Sequence, residues 1–267
     1  MQTFFIKQVS HAATVAFLIS LFSPTYAQAQ DRYGSDVPKE AASDNHITVG
    51  IGGAVLPEFQ GSKDYFIQPI PIVDIKQGPF FLNLGDGLGI NIVDSTSFRA
   101  GVSVTPVVGY DADKVPAGIG KVGISASARG FVSGTLGGVT GTLAVTTPFA
   151  GDADGMFVEG EIEYPVRVTD RLLIVPSLRA TWADKKFLGS YFGVNAEQAA
   201  ASGLPEYHPS SGFQNVGGAL AINYRFTDHI SLVGAAMVTR NLDPVMDSPF
   251  TERRWQPGGI LGVAYTF

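Results

Sequence analysis

Cysteine is absent from the 267 residues, so neither disulfide staples nor a lipid-anchored cysteine is available to the chain. Charge is scarce: Asp, Glu, Lys and Arg make up 16% of the residues, against roughly 25% in soluble domains. No basic run occurs, and the net charge of −6 argues against nucleic acid as a partner. After residue 30 no segment approaches the roughly 18–20 consecutive apolar residues that a membrane helix needs. Histidine is nearly missing too. His11, His46, His208 and His229 are too dispersed for a triad or a multi-histidine metal site. There is no G-x-S-x-G, no H-E-x-x-H and no phosphate loop. The pairs Asp111/Asp113 and Asp152/Asp154 lack the closing glutamate of a calcium loop and read as solvated turns. No catalytic, cofactor-binding or metal-ligating residue is therefore expected, and the chain is read as not an enzyme.

What the chain does have is apolar content with a period of two. The last seven residues, LGVAYTF, set Leu261, Val263, Tyr265 and Phe267 against Gly262, Ala264 and Thr266, which is one apolar face of a strand. ITVGIGGAV (47–55), SFRAGVSVTPVVGY (97–110), KVGISASAR (121–129), GVTGTLAVTT (138–147) and LLIVPSLRATW (172–182) alternate in the same way. MFVEGEIEYPVRV is the clearest: Val158, Ile162, Tyr164, Val166 and Val168 oppose Glu159, Glu161, Glu163 and Arg167. The segments run about 9–13 residues, longer than typical sandwich strands and of the length a tilted membrane-spanning strand requires. Aromatics at their ends match the girdles of a membrane barrel. The expected fold is thus all-β: a transmembrane antiparallel up-and-down β-barrel of twelve strands, with ten as the alternative count. The twelve-strand count needs FFLNL and LGINIV to form a separate hairpin around Gly85-Asp86-Gly87.

The alternation also sorts the charges. Arg99, Lys121, Arg129, Glu159, Glu161, Glu163, Arg179 and Arg225 are expected to face the lumen, with Glu161 opposite Arg179 if the turn at 169–171 sets the register. Such charges either salt-bridge into a plug or line a narrow hydrated channel. On the opposite face, Val108 and Tyr110 are expected to point outward. Pro106, Pro165 and Pro176 would each remove a ladder hydrogen bond, so bulges are expected at those positions. The connections at 183–213 and 241–255 are long and polar, and the first of these could fold into the lumen or project away from it.

At the start, Lys7 precedes the apolar run Ala12 to Phe22, and Ala27-x-Ala29 follows. Residues 1–29 read as a secretory signal peptide cut after Ala29 or Ala27. Residues 30–46 read as a polar periplasmic leader and 47–267 as the barrel.

The stretches LPEFQGSKDY (56–65), TWADKKFLGSYFGVNAEQAAASGLPEYHPSSGFQNV (181–216), DSPF (247–250) and the terminal GVAYTF together resemble the MipA/OmpV family of Gram-negative outer-membrane proteins. SYFGV followed by SGLPEYHPSSG is the most specific part. The resemblance implies a location in the Gram-negative outer membrane, with contacts to outer-membrane lipid and lipopolysaccharide. It implies a scaffold that brings a lytic transglycosylase together with a peptidoglycan synthase, or else a protein of solute passage. No catalytic residues are associated with the family. The terminal strand, with Tyr265 and Phe267, resembles the signal read by the barrel-assembly machinery.

Overall fold

The computed structural model describes residues 45–267. The signal peptide expected at 1–29 and nearly all of the expected leader lie outside these residues. Among the described residues the strands close on themselves, because the first and last pair antiparallel with Thr48 opposite Thr266 and Val55 opposite Gly259. The wall runs β1 (His46–Pro57), β2 (Tyr65–Gln77), β3 (Phe80–Asn83), β4 (Gly87–Asp94), β5 (Phe98–Val107), β6 (Ser125–Leu136), β7 (Val139–Ala150) and β8 (Phe157–Glu163). It continues through β9 (Val166–Arg167), β10 (Leu172–Ala183), β11 (Gly212–Arg225), β12 (Ile230–Asn241) and β13 (Trp255–Thr266). β8 and β9 both pair with β10, so they are two pieces of one wall strand and the barrel has twelve. Closure matters physically because it leaves few sheet edges unpaired.

One end of the barrel carries short hairpin turns and the chain terminus. The other carries long connections containing α1 (Lys185–Phe192), α2 (Ala196–Ser202) and α3 (Asp243–Met246). The period-two faces are as read from the sequence over most of the wall. Ile51, Ile67, Leu143, Ile162, Leu178, Leu220 and Leu261 are exposed on the outside, whereas Ala54, Ser103, Thr105, Thr146, Thr181 and Ala264 are buried within. At the closing seam Tyr265 and Phe267 stand exposed on the outer face, edge to face at 4.9 Å, and the amide of Phe267 donates to the carbonyl of Ile47 at 3.0 Å.

The three prolines are accommodated without the expected bulges, by interruptions of the ladder. The amide of Thr135 donates to the carbonyl of Ser97, so odd-numbered residues of β5 bond to β6 and even-numbered ones face β4. Pro106 therefore faces the β4 side, beyond the last β4–β5 pair at Leu88–Val104. Pro165 sits in the break between β8 and β9, and Pro176 lies opposite that break, accepting from the Tyr164 amide at 3.1 Å with no donor to return. The shifts of register fall elsewhere, at Asn91/Val93, Ala126/Ser127 and Thr181/Trp182.

A further correction concerns 108–124. β6 begins at Ser125 and not near residue 121, and the segment before it is a loop joined by the single bridge Tyr110–Val122. Val108 and Tyr110, expected on the outer face, are both buried, and so is Val122. The reason is what lies above the barrel mouth.

Candidate functional site: an occluded barrel interior

Lid, middle and hairpin end each fill the barrel in a different way. At the loop end α1 lies across the opening and buries Phe187, Leu188, Tyr191 and Phe192. Asp184 caps it by accepting from the Phe187 amide at 2.8 Å. α2 follows with a reciprocal capping box between Asn195 and Gln198, and closes on Gly203 in the left-handed conformation. These side chains join Phe59, Val107, Tyr110, Val115, Ile119, Phe157, Val245 and Phe250 in one apolar cluster. Phe187 stacks on Tyr191 at 4.8 Å and meets Phe157 at the same separation. The long 183–213 connection thus caps the mouth, and the SYFGV segment supplies its buried part.

Polar ties hold the lid to the wall. The Tyr110 hydroxyl donates to the Tyr191 carbonyl and the Tyr191 hydroxyl to the Val108 carbonyl, both at 2.9 Å. The Gln256 amide donates to the carbonyls of Phe59 and Ser62 and accepts from Gly61 N–H and Asn241 Nδ2, so one buried side chain fixes the first loop to β13. Burial pushes the phenols of Tyr110 and Tyr191 well above the usual tyrosine range. The unfolded chain ionises near pH 10 while the folded lid resists, so their contribution is intact below about pH 10 and is lost as the pH rises above it. Proteolysis of the 184–212 segment in the folded barrel is expected to stay flat from pH 6 to 9 and to accelerate above about pH 10. Tyr110→Phe together with Tyr191→Phe should remove that acceleration, and an unchanged pH profile in the double variant would refute the assignment.

The middle layer is divided. An apolar cluster on one side is supplied by β1, β2 and β10–β13, with Ala54, Leu56, Ile70, Leu173, Val175, Ala221, Met237 and Ile260 among its members and Phe66 and Leu84 packed against them. Facing them are charges. Arg179 on β10 lies opposite Glu161 on β8 and contacts it at 2.8 Å, with Glu159 at 3.4 Å. Arg129 on β6 pairs with Asp86 at 3.1 Å. These side chains are between 7% and 12% exposed, so the pairs lie in a water-poor interior where each charge depends on its partner. The Arg129 guanidinium also stands 5.6 Å from the Phe131 ring, and Phe131 meets Phe81 edge to face at 5.9 Å. Room for both rings comes from glycine: a Cβ on Gly89 would lie 2.2 Å from Phe81, and one on Gly101 2.8 Å from Phe131. Between this layer and the lid a cavity of about 70 Å³ is left.

At the hairpin end a third layer joins His46 to Asp74 at 3.2 Å, Lys76 to Asp94 at 2.8 Å and Arg99 to Asp94 at 3.6 Å. The interior is therefore stoppered by ion pairs below, filled in the middle and capped by aromatics above.

Of the charges singled out from sequence, Arg129, Glu159, Glu161 and Arg179 converge in the middle layer. Glu163 is buried on the same face two residues further along β8. Arg99 belongs to the hairpin-end layer. Arg225 sits at the turn, donating to the Asp170 carbonyl. Lys121 is not a lumen residue: it is exposed in the loop that precedes β6, because the alternation of KVGISASAR runs on past the point where β6 begins at Ser125. The partners Asp86, Asp94, Asp74 and Lys76 escaped sequence reading. Asp86 looked like turn chemistry, and the others lie on strands whose alternation is broken by prolines or short lengths.

Fold and interior together define an outer-membrane-type β-barrel with an occluded lumen. Solved barrels of similar outline include the KdgM porin, 6% identical over 82% of this chain and 99% of that one, with a TM-score of 0.43. The outer membrane channel from Pseudomonas putida F1 is 10% identical over 88% of this chain and all of that one, with a TM-score of 0.44. At these values the likeness decides nothing about activity. The family described as MltA-interacting protein MipA matches residues 49–267, and the chain belongs to it. The MltA-interacting protein of Escherichia coli (strain K12) is 30% identical over 96 residues, a match that takes in 36% of this chain and 38% of that relative's length. The same values hold for the Shigella flexneri protein of that name.

Proposed function

We propose that this barrel is a non-enzymatic protein of the Gram-negative outer membrane, hairpin end toward the periplasm, that holds a peptidoglycan-cleaving lytic transglycosylase at the envelope. The observation that carries the reading is the filled interior, which favours a role in which the barrel anchors and its rim binds. Membership of the MltA-interacting protein family supports the choice of partner. The surface available for docking at the hairpin end comprises the short turns at 78–79, 95–97, 137–138, 168–171 and 226–229, and the chain enters the barrel at the same end through His46. A peptidoglycan synthase as second client, and assembly through the terminal Tyr265–Phe267 strand, belong to the same proposal. The alternative, a narrow channel lined by Glu159, Glu161, Glu163, Arg129 and Arg179, is less well supported because the aromatic lid lies across its mouth and Arg179 ties two of its carboxylates.

Affinity purification of the full-length barrel from chemically cross-linked envelopes is expected to recover a lytic transglycosylase, and to lose it when residues 30–45 are deleted or the 168–171 turn is replaced by a neutral sequence. Recovery of no murein enzyme by the intact chain would refute the proposal. Recovery that neither change reduces would move the interface away from the hairpin end.

A further inference from the structure

The wall has an interruption between β2 and β5. β3 pairs with β2 over Asp74 to Gln77, and no strand follows β2 on that side from Tyr65 to Val73 among the described residues. On the far side β4 leaves β5 at Val104. The hairpin between them is short, and its turn, Leu84-Gly85-Asp86, folds into the lumen instead of continuing up the wall: Leu84 packs on the apolar side and Asp86 pairs with Arg129.

Hydrogen-bond parity shows that the interruption is built into the sequence. The amide of Glu58 donates to the Asp64 carbonyl, which makes the even-numbered residues of β2 the partners of β1 and turns the odd-numbered ones toward the gap. Pro69 and Pro71 are both odd-numbered, and Pro106 faces the same gap from β5. Three positions that would carry donors into an unpaired edge thus carry none, as edge strands require. The gap also lies within the apolar belt, flanked by Ile67 at 80% exposure and Val104 at 52%. An open edge at that depth is costly in lipid unless something polar or mobile meets it there.

Behind the gap lies the cavity of about 70 Å³, whose lining includes Gly85, Pro106, Leu56, Met237 and Arg129. Arg129 is 7% exposed, and its Nη1 has no partner among the described residues. The cavity is amphipathic, with an apolar wall on one side and a buried guanidinium on the other. As it stands it has room for about two waters. Room for a larger guest requires the 84–86 turn to swing out, a movement that would part Asp86 from Arg129 and free the guanidinium for another anion.

We propose that the β2–β5 interruption is a lateral port through which an anionic lipid of the surrounding bilayer inserts an acyl chain into the barrel, its head group replacing the Asp86 carboxylate on Arg129.

Because the chain has no cysteine, single reporters can be placed cleanly. A bimane label on Leu84→Cys, or on Gln68→Cys at the lumen-facing edge of the port, would be attached to the unfolded chain. The protein is then refolded into vesicles of phosphatidylglycerol brominated on its acyl chains. The same label on Ala221→Cys, buried in the lumen behind intact ladders on both sides, is the comparison. Quenching at 84 and 68 is expected to exceed that at 221 several-fold. Asp86→Asn should raise it further, and substituting brominated phosphatidylcholine should lower it. Equal quenching at all three positions would overturn the port. Stronger quenching at 84 and 68 that ignores both Asp86→Asn and the head-group charge would overturn the role of Arg129.

Discussion

Replacing Arg179 by methionine is expected to lower the unfolding free energy of the refolded barrel by roughly 3–5 kcal/mol. Two carboxylates, Glu159 and Glu161, converge on this guanidinium, and neither is more than 12% exposed. Their desolvation is offset by the positive charge between them, and methionine fills the volume while leaving two like charges facing each other without the guanidinium that joins them. Arg179→Met combined with Glu159→Gln and Glu161→Gln should recover most of the loss, since a neutral layer of similar volume carries no unpaired charge. Equilibrium unfolding in urea, followed by the fluorescence of Trp182 and Trp255, measures both. A single variant within about 0.5 kcal/mol of the parent would mean that the pair is solvated as a surface bridge is. A triple variant as unstable as the single one would assign the loss to packing and not to charge.

This cluster was legible from sequence because it depends on period two and on one short turn. The alternation in MFVEGEIEY fixes the face of the three glutamates, and the turn at 169–171 fixes which of them meets Arg179; the structure pairs Arg179 with Glu161. Twelve wall strands were likewise countable from segment length and turn spacing, including the short hairpin around Gly85-Asp86-Gly87. What escaped reading was whatever depends on contacts between distant loops. Tyr110 and Val122 continue the alternating pattern of their strands, yet both turn into the lid, because the aromatic cluster contributed by α1 and by Phe250 offers them burial that the pattern cannot report. The prolines were read as defects to be absorbed by bulges. The parity of Pro106, together with that of Pro69 and Pro71 across the gap, which the sequence alone does not single out, carries the information that a strand is missing there, and it becomes legible only once the register is known.

Planar-bilayer recording of the refolded, intact barrel is expected to show no steady conductance, and removal of residues 184–212 alone is expected to leave it silent. Three barriers lie in series, and the deletion removes only the upper one. Beneath it the Asp86–Arg129 pair, the Arg179 cluster and the apolar side chains of β1, β2 and β10–β13 still meet across the lumen. Conduction should appear when the deletion is combined with alanine at Glu159, Glu161 and Arg179, which empties one side of the middle layer without leaving an unpaired charge there. The size of that conductance then reports the bore left beside the apolar half of the lumen, and its ion selectivity reports the charges that remain there, Asp86 with Arg129, Glu163 and the hairpin-end pairs. Steady current through the intact protein would overturn the closed-barrel reading and make the glutamates of β8 a filter. Current on lid removal alone would place the whole barrier in the aromatic cluster. Silence in every form, with folding verified by heat-modifiable migration, would mean that the apolar half of the lumen and the hairpin-end ion pairs of Lys76, Asp94 and Arg99 suffice to seal it.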